Sequence, residues 1–128
     1  TEVDRNTNHP VIDILPEQKK VSGFGGNMRL GGKDVIIKGN SRAFKIHGKG
    51  TIRRRFRHRF ECNPEYIDEL ESKGLIFSGK APNEQIMQIL ELANHKFFMA
   101  TQFHPEFTSR PLNPDPLFLE FLKTSYYG

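Results

Sequence analysis

Apolar residues in this chain fall into short clusters broken by proline, glycine and polar runs, a spacing that predicts short strands and short helices. The first ten residues are polar and predict loop. Val11-Ile12-Asp13-Ile14-Leu15 predicts a strand that Pro16 stops. Gln18 to Gly32 is glycine-rich and predicts a connection, after which Val35-Ile36-Ile37 is a short strand candidate. The clearest alternation runs from Ile52 to Phe60. Ile52, Arg54, Phe56, His58 and Phe60 share one face, and Arg53, Arg55, Arg57 and Arg59 share the other, as in a half-buried strand with an arginine-lined outer surface.

Asn63 followed by Pro64 is the signature of an N-cap and first helical position, and Tyr66, Ile67 and Leu70 supply an apolar stripe before Gly74 stops the helix. Leu75-Ile76-Phe77 and Ile86-Met87-Gln88-Ile89-Leu90 predict two more strands. Phe97-Phe98-Met99-Ala100 predicts a buried strand that runs on towards His104, where Pro105 ends it. A proline-rich loop, Arg110 to Pro116, leads into a final helix expected to pack Leu117, Phe118, Phe121 and Leu122 inward. Mixed strands and helices indicate an α/β architecture. The short basic insert around Lys45-Ile46-His47-Gly48 has no functional account in the sequence, and no element is assigned to it.

Composition narrows the picture. At 128 residues with 36% apolar content the chain can bury one modest core. A single cysteine rules out an internal disulfide and agrees with a reducing, cytoplasmic setting, and neither a signal peptide nor a membrane-spanning run is found. The net charge of +4 is concentrated: eight Lys or Arg and no acid lie between Arg42 and Arg59. His9, His47, His58, His95 and His104 are scattered without metal-ligand spacing, so no metal is expected.

The candidate chemistry lies in Ala100-Thr101-Gln102-Phe103-His104-Pro105-Glu106-Phe107, which leaves a histidine and a carboxylate two residues apart at the carboxyl end of a strand. Ligands and catalytic groups gather at that edge of open α/β sheets. An imidazole held by a nearby carboxylate is suited to act as a general base for a nucleophile.

Three ordered segments resemble the class I glutamine amidotransferase domains, and among them those of the CTP synthases: Gly25-Gly26-Asn27-Met28-Arg29-Leu30-Gly31, Arg57-His58-Arg59-Phe60-Glu61-Cys62-Asn63-Pro64, and the tail from Gln102 to Phe118. The resemblance extends over almost the whole chain. It implies a doubly wound sheet, here its C-terminal portion, with a smaller added β region, and it makes residues 1–128 the C-terminal portion of an amidotransferase domain without the nucleophile-bearing part or the synthetase domain.

It further implies that His104 is the catalytic base, Glu106 its orienting carboxylate and Arg59 a contact for substrate L-glutamine. The neighbourhood of Phe24, Gly25 and Gly26 is implied to read GTP, while Arg29 is either structural or in contact with nucleotide. No cofactor is expected on this segment. The parent enzyme would use ATP and Mg to aminate UTP, with GTP as activator, and would form a homotetramer through the synthetase half. Cys62 is not expected to be the nucleophile, because it lacks a glycine-flanked strand-to-helix turn. On this reading the segment alone is inactive.

Two other classes remain. A non-catalytic amidotransferase-like assembly module would keep the fold without the reaction. A nucleic-acid-binding module would use the basic stretch with Phe56 and Phe60 interleaved, although those phenylalanines fall on the face expected to be buried. Membrane association and specific nucleic-acid binding are not expected.

Overall fold

The computed structural model describes residues 1–14 and 28–127. Its elements in chain order are β1 (Ile12–Asp13), β2 (Arg29–Ile37), α1 (Arg42–His47), β3 (Thr51–His58), β4 (Glu61–Cys62), a 3-10 turn at Pro64–Tyr66 leading into α2 (Ile67–Ser72), β5 (Leu75–Lys80), β6 (Met87–Leu92), β7 (Met99–Thr101), a second 3-10 turn at Pro105–Phe107, and α3 (Pro116–Tyr127). Five strands pair in the order β3-β2-β5-β6-β7, and β1 pairs with β4 separately. Every one of these pairings is antiparallel.

The five-stranded sheet curls until its two outer strands meet. Phe56 of β3 forms a bridge with Phe103, just beyond β7, and the His104 amide donates to the Arg55 carbonyl at 3.0 Å. The core lies inside this curl, where Val35, Ile37, Ile52, Phe56, Ile89 and Phe103 pack with Ala43 of α1 and Leu117 of α3. The alternation read from Ile52 holds through β3: Ile52 and Phe56 are buried, and Arg53, Arg55 and Arg57 are exposed. The strand ends at His58, short of the expected Phe60, and Arg59 and Phe60 beyond it are both half-buried.

The stretch from Arg29 to Gly32, expected as connection, instead begins β2 and pairs with β3 across eight residue pairs from Arg29–His58 to Ile36–Thr51. Gly31 takes φ 78°, the left-handed region that favours glycine. At Gly32, Arg53 lies over the backbone and donates to its carbonyl at 2.9 Å, so that a Cβ there, 3.2 Å from Arg53 Nε, would press on a side chain that is free to shift. The long ladder to β3 overrides the weak strand propensity of glycine. β1 spans Ile12–Asp13, shorter than expected; Leu15 and the segment through Phe24, Gly25, Gly26 and Asn27 lie outside the described residues.

The basic stretch without an assigned element is α1. Ser41 Oγ accepts from the Phe44 amide at 3.0 Å, and Gly48 closes the helix with φ 63°. Glu91, from β6, accepts from the amides of Arg42 at 2.9 Å and Ala43 at 3.0 Å. A carboxylate at a helix N-terminus is favourable for both hydrogen bonding and the helix dipole.

The final helix forms where expected, but its apolar stripe does not pack inward. Leu117 is buried, whereas Phe118, Phe121 and Leu122 are 40%, 52% and 62% exposed. Periodicity places those residues together; the described residues provide little to cover them.

Candidate functional site

The sheet itself places His104. Gln102 continues past β7 by donating its amide to the Gln88 carbonyl at 3.0 Å. Phe103 then points into the core, edge-on to Phe56 with ring centroids 6.0 Å apart. His104 therefore faces the opposite way, and the Arg55 carbonyl holds its amide. Pro105, which cannot donate to a ladder, starts the single 3-10 turn, closed by the Phe107 amide on the His104 carbonyl and the Thr108 amide on the Pro105 carbonyl, both at 3.1 Å.

That turn folds Glu106 back onto the histidine. His104 Nδ1 lies 2.7 Å from Glu106 Oε1, and the Phe107 ring stacks on the imidazole at 4.9 Å and 21°. With the carboxylate ionised, Nδ1 is the donor, so the lone pair of the neutral ring is presented on Nε2. The hydrogen bond from His104 is the main reason the Glu106 carboxyl sits below its usual range. The two side chains are partly open to solvent, 35% for His104 and 54% for Glu106. An imidazole so held can accept a proton at Nε2 and return it, with the carboxylate stabilising the intervening cation.

Arg59 stands just past β3, partly buried, and has an interaction of its own. Its turn is tied to the dyad's strand: Gln102 Nε2 donates to the Phe60 carbonyl at 3.3 Å. Cys62, the free cysteine, is buried, and burial pushes its thiol up, away from the thiolate a nucleophile needs. Phe56 is buried in the core, so it cannot offer a ring for base stacking.

The structure also assembles groups that sequence reasoning left apart. Arg29, read as either structural or nucleotide-contacting, donates Nε to Glu61 at 2.7 Å and Nη2 to Glu84 at 3.2 Å. His58 Nε2 lies 3.2 Å from the same Glu61 oxygen. A lone glutamate just after the arginine-rich run Arg53 to Arg59 was the available signal. Phe107 was inside the quoted motif, but only the turn geometry makes it a lid on the imidazole. Among the described residues no group of three or more His, Cys, Asp or Glu side chains could hold a metal ion, and no helix is long and apolar enough to cross a membrane.

Residues 6–124 match the family described as "Glutamine amidotransferase class-I". The chain is 53% identical over 125 residues to the CTP synthase of Archaeoglobus fulgidus, covering 98% of this chain and 24% of that protein. It is 53% identical over 119 residues to the CTP synthase of Thermococcus gammatolerans, covering 92% of this chain and 22% of that protein. This chain thus spans about a quarter of the length of the curated relatives it matches. Among solved structures, "Trypanosoma brucei CTPS - glutaminase domain with bound acivicin" superposes with a TM-score of 0.90 at 32% identity, over 98% of this chain and 49% of that one.

Proposed function

This chain belongs to the class I glutamine amidotransferase family, and from that premise we propose that it is the part of a CTP synthase glutaminase domain that carries the general base His104, its orienting carboxylate Glu106 and the substrate contact Arg59. The observation that carries this reading is the 2.7 Å bond between His104 Nδ1 and Glu106 Oε1, which directs Nε2 outward. The half-length coverage of a glutaminase domain and the relatives named CTP synthase support it.

In the reaction, Nε2 of His104 takes the proton of a cysteine thiol supplied by the rest of the domain. The thiolate attacks the amide carbon of glutamine, and the imidazolium returns its proton to the departing ammonia. Water then enters with His104 again as base, and the thioester is hydrolysed to glutamate. Glu106 stays ionised and keeps the ring in the tautomer that both transfers need. Arg59 grips the α-carboxylate of glutamine through paired charge-assisted hydrogen bonds, a task for which lysine is a poor substitute.

The ammonia released would serve amination of UTP by an ATP- and magnesium-dependent synthetase domain of the full-length chain, with GTP as activator, in a cytoplasmic homotetramer. The present sequence has no glycine-flanked cysteine, so alone it would not hydrolyse glutamine.

The test is His104→Ala in the full-length enzyme. Glutamine-driven CTP formation is expected to fall by several orders of magnitude while ammonia-driven formation is retained. Equal loss of both activities, or loss of neither, would overturn the assignment.

A further inference from the structure

Glu61 has no exposed surface at all, although it lies in a strand of only two residues. Burying a carboxylate costs several kcal/mol unless it is paired and hydrogen-bonded. Its recorded partners come from two strands that face one another: Arg29 and His58 are directly opposed in the β2–β3 ladder, and both reach Glu61 Oε1, at 2.7 and 3.2 Å. Glu61 therefore ties off the end of that ladder. Burial alone would raise its carboxyl, but the hydrogen bonds from His58 and Arg29 outweigh it and hold the group ionised, below its ordinary value.

Only two residues, Arg59 and Phe60, separate His58 from Glu61. Both ends of this turn are thus clamped by one carboxylate. A third anchor comes from the opposite side, where Gln102 holds the Phe60 carbonyl two residues before His104. His104 in turn is bonded to Arg55 of β3. The turn and the dyad consequently share one rigid frame.

We propose that Glu61 is a positioning residue for the glutaminase step: by binding Arg29 and His58 it sets the Arg59–Phe60 turn, and so aims the Arg59 guanidinium relative to His104. The inference rests on the reading of Arg59 and His104 given above. Bidentate capture of a carboxylate depends on geometry, and displacement by about 1 Å can cost on the order of 100-fold. Relaxing the clamp weakens glutamine capture while leaving the dyad's own bond intact.

The experiment uses the full-length enzyme with Glu61→Gln, which keeps shape and an acceptor but removes the charge. The KM for glutamine is expected to rise about 10-fold, with kcat at saturating glutamine and the ammonia-driven rate each within about threefold of the parent enzyme. Because Glu61 acts through Arg59, the double variant Glu61→Gln/Arg59→Lys should show a KM no higher than about that of the worse single variant, not the product of the two effects. An unchanged KM, multiplicative effects in the double variant, or parallel loss of kcat and ammonia-driven activity would overturn the proposal.

If Glu61→Gln does not fold, His58→Asn removes one of the clamp's bonds at a partly exposed position, and the same KM comparison decides. His104→Ala run alongside separates the two readings. If that variant keeps its glutamine-driven activity, the glutaminase reading fails; if it loses it while Glu61→Gln leaves KM unchanged, only the positioning role fails.

Discussion

β3 and α3 carry equally regular patterns of apolar residues and meet opposite fates. On β3 the apolar positions Ile52 and Phe56 vanish into the curl of the sheet, and Phe56 sits 2% exposed against Phe103. On α3 only Leu117 is buried, while the stripe continued by Phe121 and Leu122 stays open. Periodicity reports which side chains share a face; it does not report whether another element covers that face. β3 is covered because the sheet closes on itself, bringing β7's continuation alongside. α3 enters that core through Leu117 and continues beside α1 with Glu120 and Thr124 half-buried, while Phe121 meets Phe97 edge-on at 5.6 Å and most of the apolar stripe faces out.

The largest effect that would test the contrast is at the seam. Phe56→Ala is expected to destabilise this chain by about 4 kcal/mol in chemical denaturation, since it removes a packed aromatic and leaves a cavity between β3 and Phe103. A loss below about 1 kcal/mol would mean that the seam does not hold the curl closed.

Next in size is the joint between the two regions. Asp115 is buried, accepts from the Leu117 amide at 3.0 Å and lies 3.4 Å from Arg54 Nη2 of β3. Asp115→Ala should cost about 3 kcal/mol, because it both uncaps α3 and strands a partly buried guanidinium. Lowered hydrogen-exchange protection confined to α3 would show that the joint serves the helix alone.

The same joint has a pH response. His47 accepts from Arg54 at 3.3 Å, and burial, then the charge of Arg54 and against the pull of Asp115, pushes its imidazole down to about 4. The unfolded chain takes up a proton near pH 6.5 that the folded chain refuses until about pH 4. The contribution is therefore complete above pH 6.5 and is lost as pH falls through that window. After allowance for partial exposure it amounts to about 2 kcal/mol. His47→Gln should flatten stability between pH 6.5 and 4, and an unaltered slope would place the acid sensitivity elsewhere.

The smallest effect belongs to α3. Leu122→Ser is expected to change stability by less than about 0.5 kcal/mol while reducing self-association and dye binding, because exposed apolar patches of this kind drive both. A loss of several kcal/mol would show the helix face to be covered after all.

Legibility followed the same division. The core of β3, the Asn63–Pro64 start and the Gly74 stop depend on neighbours a few residues away, and each is where the pattern put it. The strand expected from Phe97 towards His104 is shorter and less buried than its apolar run implied: β7 is Met99–Thr101, with no residue fully buried, and Phe98 is 41% exposed before it. The dyad was legible too, since a turn started by Pro105 can bring only a near neighbour such as Glu106 back to His104. α1 was missed although Ser41 and Gly48 mark its ends locally, because it is only six residues long and basic; the Glu91 carboxylate that completes its N-terminus comes from a distant strand. The β2 extension through Gly31 and Gly32 was hidden because glycine signals connection, and only the facing ladder of β3, distant in sequence, draws the chain out as strand there.

Sequence alone determined most of the strands, the final helix, the family, and the pair His104 and Glu106, because local backbone chemistry and short-range spacing carry them. Tertiary structure alone decided that β3 and the end of β7 meet, that Arg29, His58 and Glu61 converge beneath the Arg59 turn, and that most of α3's stripe stays open. Those outcomes depend on the curl of the sheet, which joins residues far apart in the chain and leaves no trace in any short window of it.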